Sequence, residues 1–163
     1  MFKVRAEFHE DLEVGAGMGR VRAFFADLDN FARLMPGVES IHLEENGVAL
    51  WRVSVEVSLI GAMRGTFALA QRDDSAARIE WGPAPNEKKN LLRYAIALEE
   101  RTEARTLMRV ALRVELRRES ARELHLMAGL LGEARVSAGT EEEVALMMKT
   151  FLRRARAELE ATA

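Results

Sequence analysis

Leu34-Met35-Pro36-Gly37-Val38-Glu39-Ser40 is the stretch on which the fold turns, because it separates two hydrophobic periods. Upstream, Val21, Phe24, Phe25, Leu28 and Phe31 recur at the three-and-four spacing of one helix face, and Pro36 bars that helix from continuing. Downstream the period becomes two. A strand starting near Val38 turns Ile41 and Leu43 inward, and Asn46-Gly47 then signals a two-residue hairpin turn with positive φ at both residues. The partner strand alternates Trp51, Val53, Val55, Val57 and Leu59 with Arg52, Ser54, Glu56 and Ser58, giving one apolar and one wet face.

The same alternation extends in both directions. A strand over about residues 2 to 8 points Phe2, Val4, Ala6 and Phe8 one way and Lys3, Arg5 and Glu7 the other. A turn-rich stretch holding Gly15, Gly17 and Gly19 leads from it into the helix. After a turn at Gly61, Phe67 and Leu69 continue the inward series, followed by Ile79 and Trp81. Gly82-Pro83-Ala84-Pro85-Asn86 reads as a loop, since two prolines cannot sit in a central ladder. Leu92, Tyr94, Ile96 and Leu98 form the next strand, Arg101-Thr102-Glu103 a turn, and Met108, Val110, Leu112, Val114 and Leu116 the last. About six to seven strands without an intervening helix imply an antiparallel sheet and an α+β fold.

Beyond the strands, Ser120 with Glu123 has capping-box spacing, and Leu124, Met127 and Leu131 suggest a short helix or turn ending near Gly132. The segment 117–139 is the least determined by pattern. Thr140 with Glu143 repeats the box, which predicts a final amphipathic helix starting there with the stripe Val144, Met148, Phe151, Ala155 and Leu159.

Length and composition bound the function. A chain of 163 residues is read as one domain over 1–163, with 48% apolar and 31% charged residues and a formal charge of −2. A nucleic-acid binder would carry a basic excess, and here Arg153-Arg154 is followed by Glu158 and Glu160, so nucleic acid is not expected. The absence of cysteine removes disulfides, thiolate nucleophiles and cysteine metal sites, and fits a reducing cytoplasm, the expected location. The alternating N-terminus is a strand rather than a signal peptide, and no run approaches the roughly 20 apolar residues of an integral membrane segment.

Motifs of reactive chemistry are sparse. Gly15-Ala16-Gly17-Met18-Gly19 precedes a helix but has neither dinucleotide-fingerprint spacing nor the context of a parallel sheet, and reads as a turn. His9, His42 and His125 are scattered with no partner at ligand spacing, so no metal is expected, and no cofactor is called for. His42 falls on the outward phase of its strand. No catalytic residue is assigned. Glu100 follows Leu98 on the inward phase but lies beside a turn, where solvent is its expected environment. Trp51, Trp81 and Tyr94 all take the inward phase and carry a polar atom at the tip, which suits either a core or a ligand cavity. Met148 and Phe151, with Met147 nearby, put an adaptable apolar wall on the facing helix.

Short helices, the Pro-Gly break, a strand meander and a long final helix together resemble the helix-grip superfamily of START domains, birch-pollen-allergen-like proteins and polyketide cyclases. Within it, residues 34 to 61 resemble the branch of the carbon-monoxide-dehydrogenase G-subunit, whose pattern runs helix, leucine, a second apolar residue, Pro-Gly-Val-Glu-Ser, then paired strands. The resemblance implies a curved antiparallel sheet wrapped around the C-terminal helix, with one or two short helices between strands 1 and 2. It also implies a cavity between sheet and helix for a small hydrophobic molecule such as a lipid, a quinone or a polyketide-like compound. The cavity candidates are Trp51, Val53, Val55, Phe67, Trp81, Tyr94, Ile96, Met148 and Phe151. A cyclase- or dehydratase-like enzyme is one rival reading. The other is an interaction module with a filled cavity, whose outer sheet or helix face meets a second copy or another protein. In the G-subunit branch some members are linked to maturation or membrane association of molybdenum hydroxylases. This chain departs from that pattern in its charged segment from Arg117 to Arg122. It also lacks the extended C-terminal hydrophobic tail of the membrane-tethered members, so recruitment to a membrane is not expected.

Overall fold

The computed structural model describes residues 1–161. In chain order its elements are β1 (Phe2–Val14), α1 (Met18–Ala26), α2 (Leu28–Leu34), β2 (Val38–Leu43), β3 (Ala49–Val57), β4 (Gly61–Ser75), β5 (Arg78–Pro83), β6 (Asn90–Thr102) and β7 (Arg105–Arg118). A 3-10 turn at Ala121–Glu123, α3 (Ala128–Leu131) and α4 (Glu133–Ala161) complete them. The seven strands form one antiparallel sheet ordered β1-β7-β6-β5-β4-β3-β2. Helix α4 packs against both β1 and β3. Five strand spacings separate those two, about 24 Å in a flat sheet, more than twice the width of a helix. The sheet therefore curves around α4, and the fold is α+β of the helix-grip kind expected. No helix among the described residues is long and apolar enough to cross a membrane.

The Pro36-Gly37 junction works as the pattern requires, and for a second reason besides. Gly37 takes φ +85°, and a Cβ built there would lie 2.6 Å from the Ser54 carbonyl oxygen on β3. Its own carbonyl accepts the Ser54 N–H at 2.8 Å, so the turn is stitched to the sheet it introduces. Upstream, the helical face is split at Asp27, whose carboxylate accepts the Asp29 N–H and caps α2. Val21, Phe25 and Phe31 are buried by it, while Phe24 and Leu28 are partly covered.

Several expected boundaries move. β1 runs to Val14 because Asp11 and Glu13 face Arg109 and Arg105 of β7, so the alternation persists past Phe8. The Asn46-Gly47 hairpin pairs as expected but closes through three residues. Gly47 alone is positive in φ, the Gly47 N–H bonds to Glu44 O, and the Asn46 side chain accepts the Val48 N–H at 3.0 Å. Leu43, expected inward, is exposed, since β2 is the sheet edge and nothing covers its last residue. Leu59 is likewise exposed, in a turn with φ +71°, because β3 ends at Val57. Gly61 opens β4 instead of sitting in the turn. Pro83 closes β5 opposite Leu69, tolerated because β5 has parted from β6 after Trp81.

The two capping boxes also fail. Ser120 makes no cap bond; the Glu123 carboxylate instead accepts the Glu119 N–H at 3.3 Å. Thr140 lies inside α4, its hydroxyl donating to Val136 O at 2.7 Å, because the helix begins seven residues earlier at Glu133. The buried stripe thus gains Val136 and Thr140 ahead of Val144, Met148, Phe151, Ala155 and Leu159. Gly139 suits that extension, since a Cβ there would sit 3.0 Å from Val57 Cγ1.

Candidate functional site

A cavity of about 170 Å³ lies between the sheet and α4. Its walls come from α2 and the turn after it (Phe31, Met35), β3 (Trp51, Val53, Val55), β4 (Met63, Gly65, Phe67), β6 (Asn90, Leu92, Tyr94, Ile96), β7 (Val110, Leu112, Val114, Leu116, Arg118) and α4 (Val144, Met147, Met148, Phe151, Leu152). Period-two alternation explains these walls. Even-numbered residues of β6 and β7 and odd-numbered residues of β3 and β4 share the concave face, as the pairs Trp51–Phe67, Leu92–Val114 and Tyr94–Leu112 require. Of the predicted cavity residues, Trp51, Val53, Val55, Phe67, Tyr94, Ile96, Met148 and Phe151 border this space. Trp81 does not. It pairs with Tyr94 on the same face but lies along a separate surface groove with Arg22, Ala26, Leu28 and Ile41 below the α1–α2 junction. Alternation reports which face a side chain takes and says nothing about its depth along the strand.

The cavity has an aromatic floor. The Phe31 ring centroid lies 4.7 Å from that of Phe151, 5.6 Å from Trp51 and 5.4 Å from Tyr94, and the Trp51 and Tyr94 rings are 5.7 Å apart, edge to face. Helical periodicity placed Phe31 on a helix face without assigning it to the cavity. The two polar tips on this floor, Trp51 Nε1 and the Tyr94 hydroxyl, are buried with no hydrogen-bond partner among the described residues. Burial pushes the Tyr94 pKa above the ordinary phenol value, so the side chain is a neutral phenol.

The opposite end is polar. Asn90 and Arg118, on the inward phases of β6 and β7, meet where the Arg118 Nη2 donates to Asn90 Oδ1 at 2.8 Å. The Asn90 amide in turn donates to Thr66 O at 2.9 Å, joining β6 to β4 beyond the end of β5. Glu123 and Leu124 flank this mouth, and the Arg64 guanidinium lies on the outside, 3.8 Å from Glu39. The sequence carried a signal for Asn90 and Arg118, since each continues an apolar series two residues at a time. Glu100 and His42 are exposed, as expected. Among the described residues no group of three His, Asp or Glu side chains could hold a metal ion.

The family model described as the carbon monoxide dehydrogenase G-subunit (CoxG) matches residues 11–113, from the far half of β1 to the middle of β7. No curated protein sequence matches the chain. Solved structures similar to it include the Zhui aromatase/cyclase from Streptomyces sp. R1128, with a TM-score of 0.68 at 15% identity, covering 98% of each chain. A START superfamily protein from Mycobacterium smegmatis gives 0.63 at 13% identity, covering 96% of this chain and 99% of that one. A conserved protein from Geobacillus kaustophilus gives 0.66 at 10% identity, covering 98% and 97%. At such identities these are likenesses of fold.

Proposed function

The chain belongs to the CoxG family, that of the carbon monoxide dehydrogenase G-subunit, and on that footing we propose that it binds a small apolar or amphipathic molecule between its sheet and α4. The observation that carries this reading is an apolar space with two orphaned donors on its floor, Trp51 Nε1 and the Tyr94 hydroxyl. An apolar cavity of roughly 150 Å³ is enough to take up benzene. Each buried donor without a partner costs about 1–3 kcal/mol, which an acceptor oxygen on the ligand would relieve. A module whose cavity is filled by its own side chains would not leave the space.

The enzyme reading has less support. Inside the mouth, the wall's titratable side chain is Tyr94, whose neutral hydroxyl can donate a hydrogen bond but cannot serve as a base near neutrality. The reading is therefore binding of the molecule rather than its turnover. Native mass spectrometry of the protein purified from its own host tests it. A small molecule retained by the wild type and lost on bulky replacement of Met148 is expected; an unliganded mass that resists every small apolar probe would overturn the reading.

A further inference from the structure

Resting on that binding reading, we propose that the occupant is an anion: an apolar body in the cavity with a carboxylate held at the mouth by Arg118. The guanidinium's own partners point this way. Arg118 Nη1 donates to Arg117 O at 2.8 Å and Lys89 O at 3.3 Å, and Nη2 donates to Asn90 Oδ1. Every one of these acceptors is uncharged. Three nearby arginines do find carboxylates: Arg117 is paired with Glu115, Arg113 with Glu7 and Arg64 with Glu39. Arg118 forms no ion pair among the described residues, although it is partly buried at a mouth it shares with Leu116, Leu124 and Glu123, whose carboxylate accepts the Glu119 N–H instead.

Of the five N–H groups on a guanidinium, three are used, and the two left are what a carboxylate takes in a bidentate pair. Position agrees with chemistry. Asn90 pins Arg118 on the concave face, and from Asn90 to Tyr94 along β6 the strand climbs four residues, about 13 Å. A molecule with a carboxylate on Arg118 can therefore reach the aromatic floor with its other end. Arg118 acts here as a binding residue, and Asn90, which bonds both Arg118 and Thr66, as the residue that positions it.

The test uses a matched pair of probes, 4-phenylbutyrate and its uncharged amide, titrated calorimetrically into the full chain. The acid is expected to bind about tenfold more tightly than the amide at low salt, with the ratio shrinking at high salt. Arg118→Gln should abolish the preference while leaving the amide's affinity in place, and Arg118→Lys should restore part of it. In the wild type the Arg118 Nε–H resonance should shift with the acid and stay put with the amide, a readout that survives if a variant fails to fold. Equal binding of acid and amide, or a preference that disappears in Arg64→Gln and persists in Arg118→Gln, would overturn the assignment while leaving ligand binding intact. If neither probe binds at any concentration, the cavity reading fails and this inference with it.

Discussion

The two halves of α4 meet the same sheet in different ways. From Phe151 onward the helix is clamped: Phe151, Leu152, Ala155 and Leu159 are buried, Phe25 and Phe31 close on Phe151, and Arg33 forks onto Glu158 at 2.7 and 2.9 Å. The chain's own backbone joins in, with the Gly15 N–H on Glu160 at 2.7 Å and Arg154 donating to Leu34 O at 3.0 Å. Before Phe151, the helix is held along β1, where Ser137 and Glu141 accept the Arg5 and Glu7 N–H groups. On its other flank Val144, Met147 and Met148 face open space. One helix thus serves as a core element over its last turns and as a cavity roof over its middle. Interlocked rings and buried aliphatic side chains fill the first; flexible methionines border the empty space of the second.

The division is most vulnerable at Phe151, where the halves meet. Phe151→Ala should cost about 3–5 kcal/mol, read as a lowered urea midpoint with an unchanged slope. Gly37→Ala should come next, at about 1–3 kcal/mol, since it forces an L side chain to φ +85° against the Ser54 carbonyl. Its effect should fall on stability first, and on probe affinity only as far as Met147, whose Cε would lie 2.9 Å from the new Cβ, shifts in the cavity wall. Tyr94→Phe should go the other way: deleting an unpartnered buried hydroxyl is expected to leave the free protein unchanged or more stable by about 1 kcal/mol, while weakening oxygen-bearing ligands. Had Tyr94 been an ordinary core tyrosine with a satisfied hydroxyl, the substitution would destabilise.

The smallest effect concerns pH and belongs to the clamped half. Arg33 bonded to Glu158, and the Gly15 N–H bonded to Glu160 with Arg156 adding to it, hold both carboxyls below the usual carboxylate range. A depressed folded-state pKa stabilises above the unfolded value, and that contribution fades as pH falls through the carboxylate range. The melting temperature of the wild type should therefore fall with acid slightly more than that of a Glu158→Gln, Glu160→Gln double variant. These groups are exposed, so the difference will be small.

Much of this molecule could be read from its residues, for physical reasons that also mark where reading stopped. Strand faces are local: the alternation through Trp51, Val53 and Val55, or Leu92, Tyr94 and Ile96, fixed which side was buried. Where a strand sits in the sheet is not local, so alternation turns Leu43 and Leu59 inward while the edge position of the one and the turn position of the other leave both exposed. Depth along the curved sheet is equally invisible, which is why Trp81 shared a phase with the cavity wall without joining it. The start of α4 is not marked by the Thr140 capping box, because the helical continuity of residues 133–139 outweighs it. The mouth formed by Asn90 and Arg118 needed the β4–β6 contact beyond β5, a contact between residues far apart in sequence.

Everything functional rests on the space beneath the middle of α4, from Val144 to Leu152, taking up a small molecule against Trp51. In a Trp81→Phe background Trp51 is the sole tryptophan, so its emission reports on that space alone. Titration with a soluble amphipathic probe such as 4-phenylbutyrate should change Trp51 emission saturably and one-to-one, and should do so no longer in Met148→Phe, where the larger ring fills the roof. An emission that stays flat, or drifts without saturating and ignores the Met148→Phe replacement, would show that the space takes up nothing.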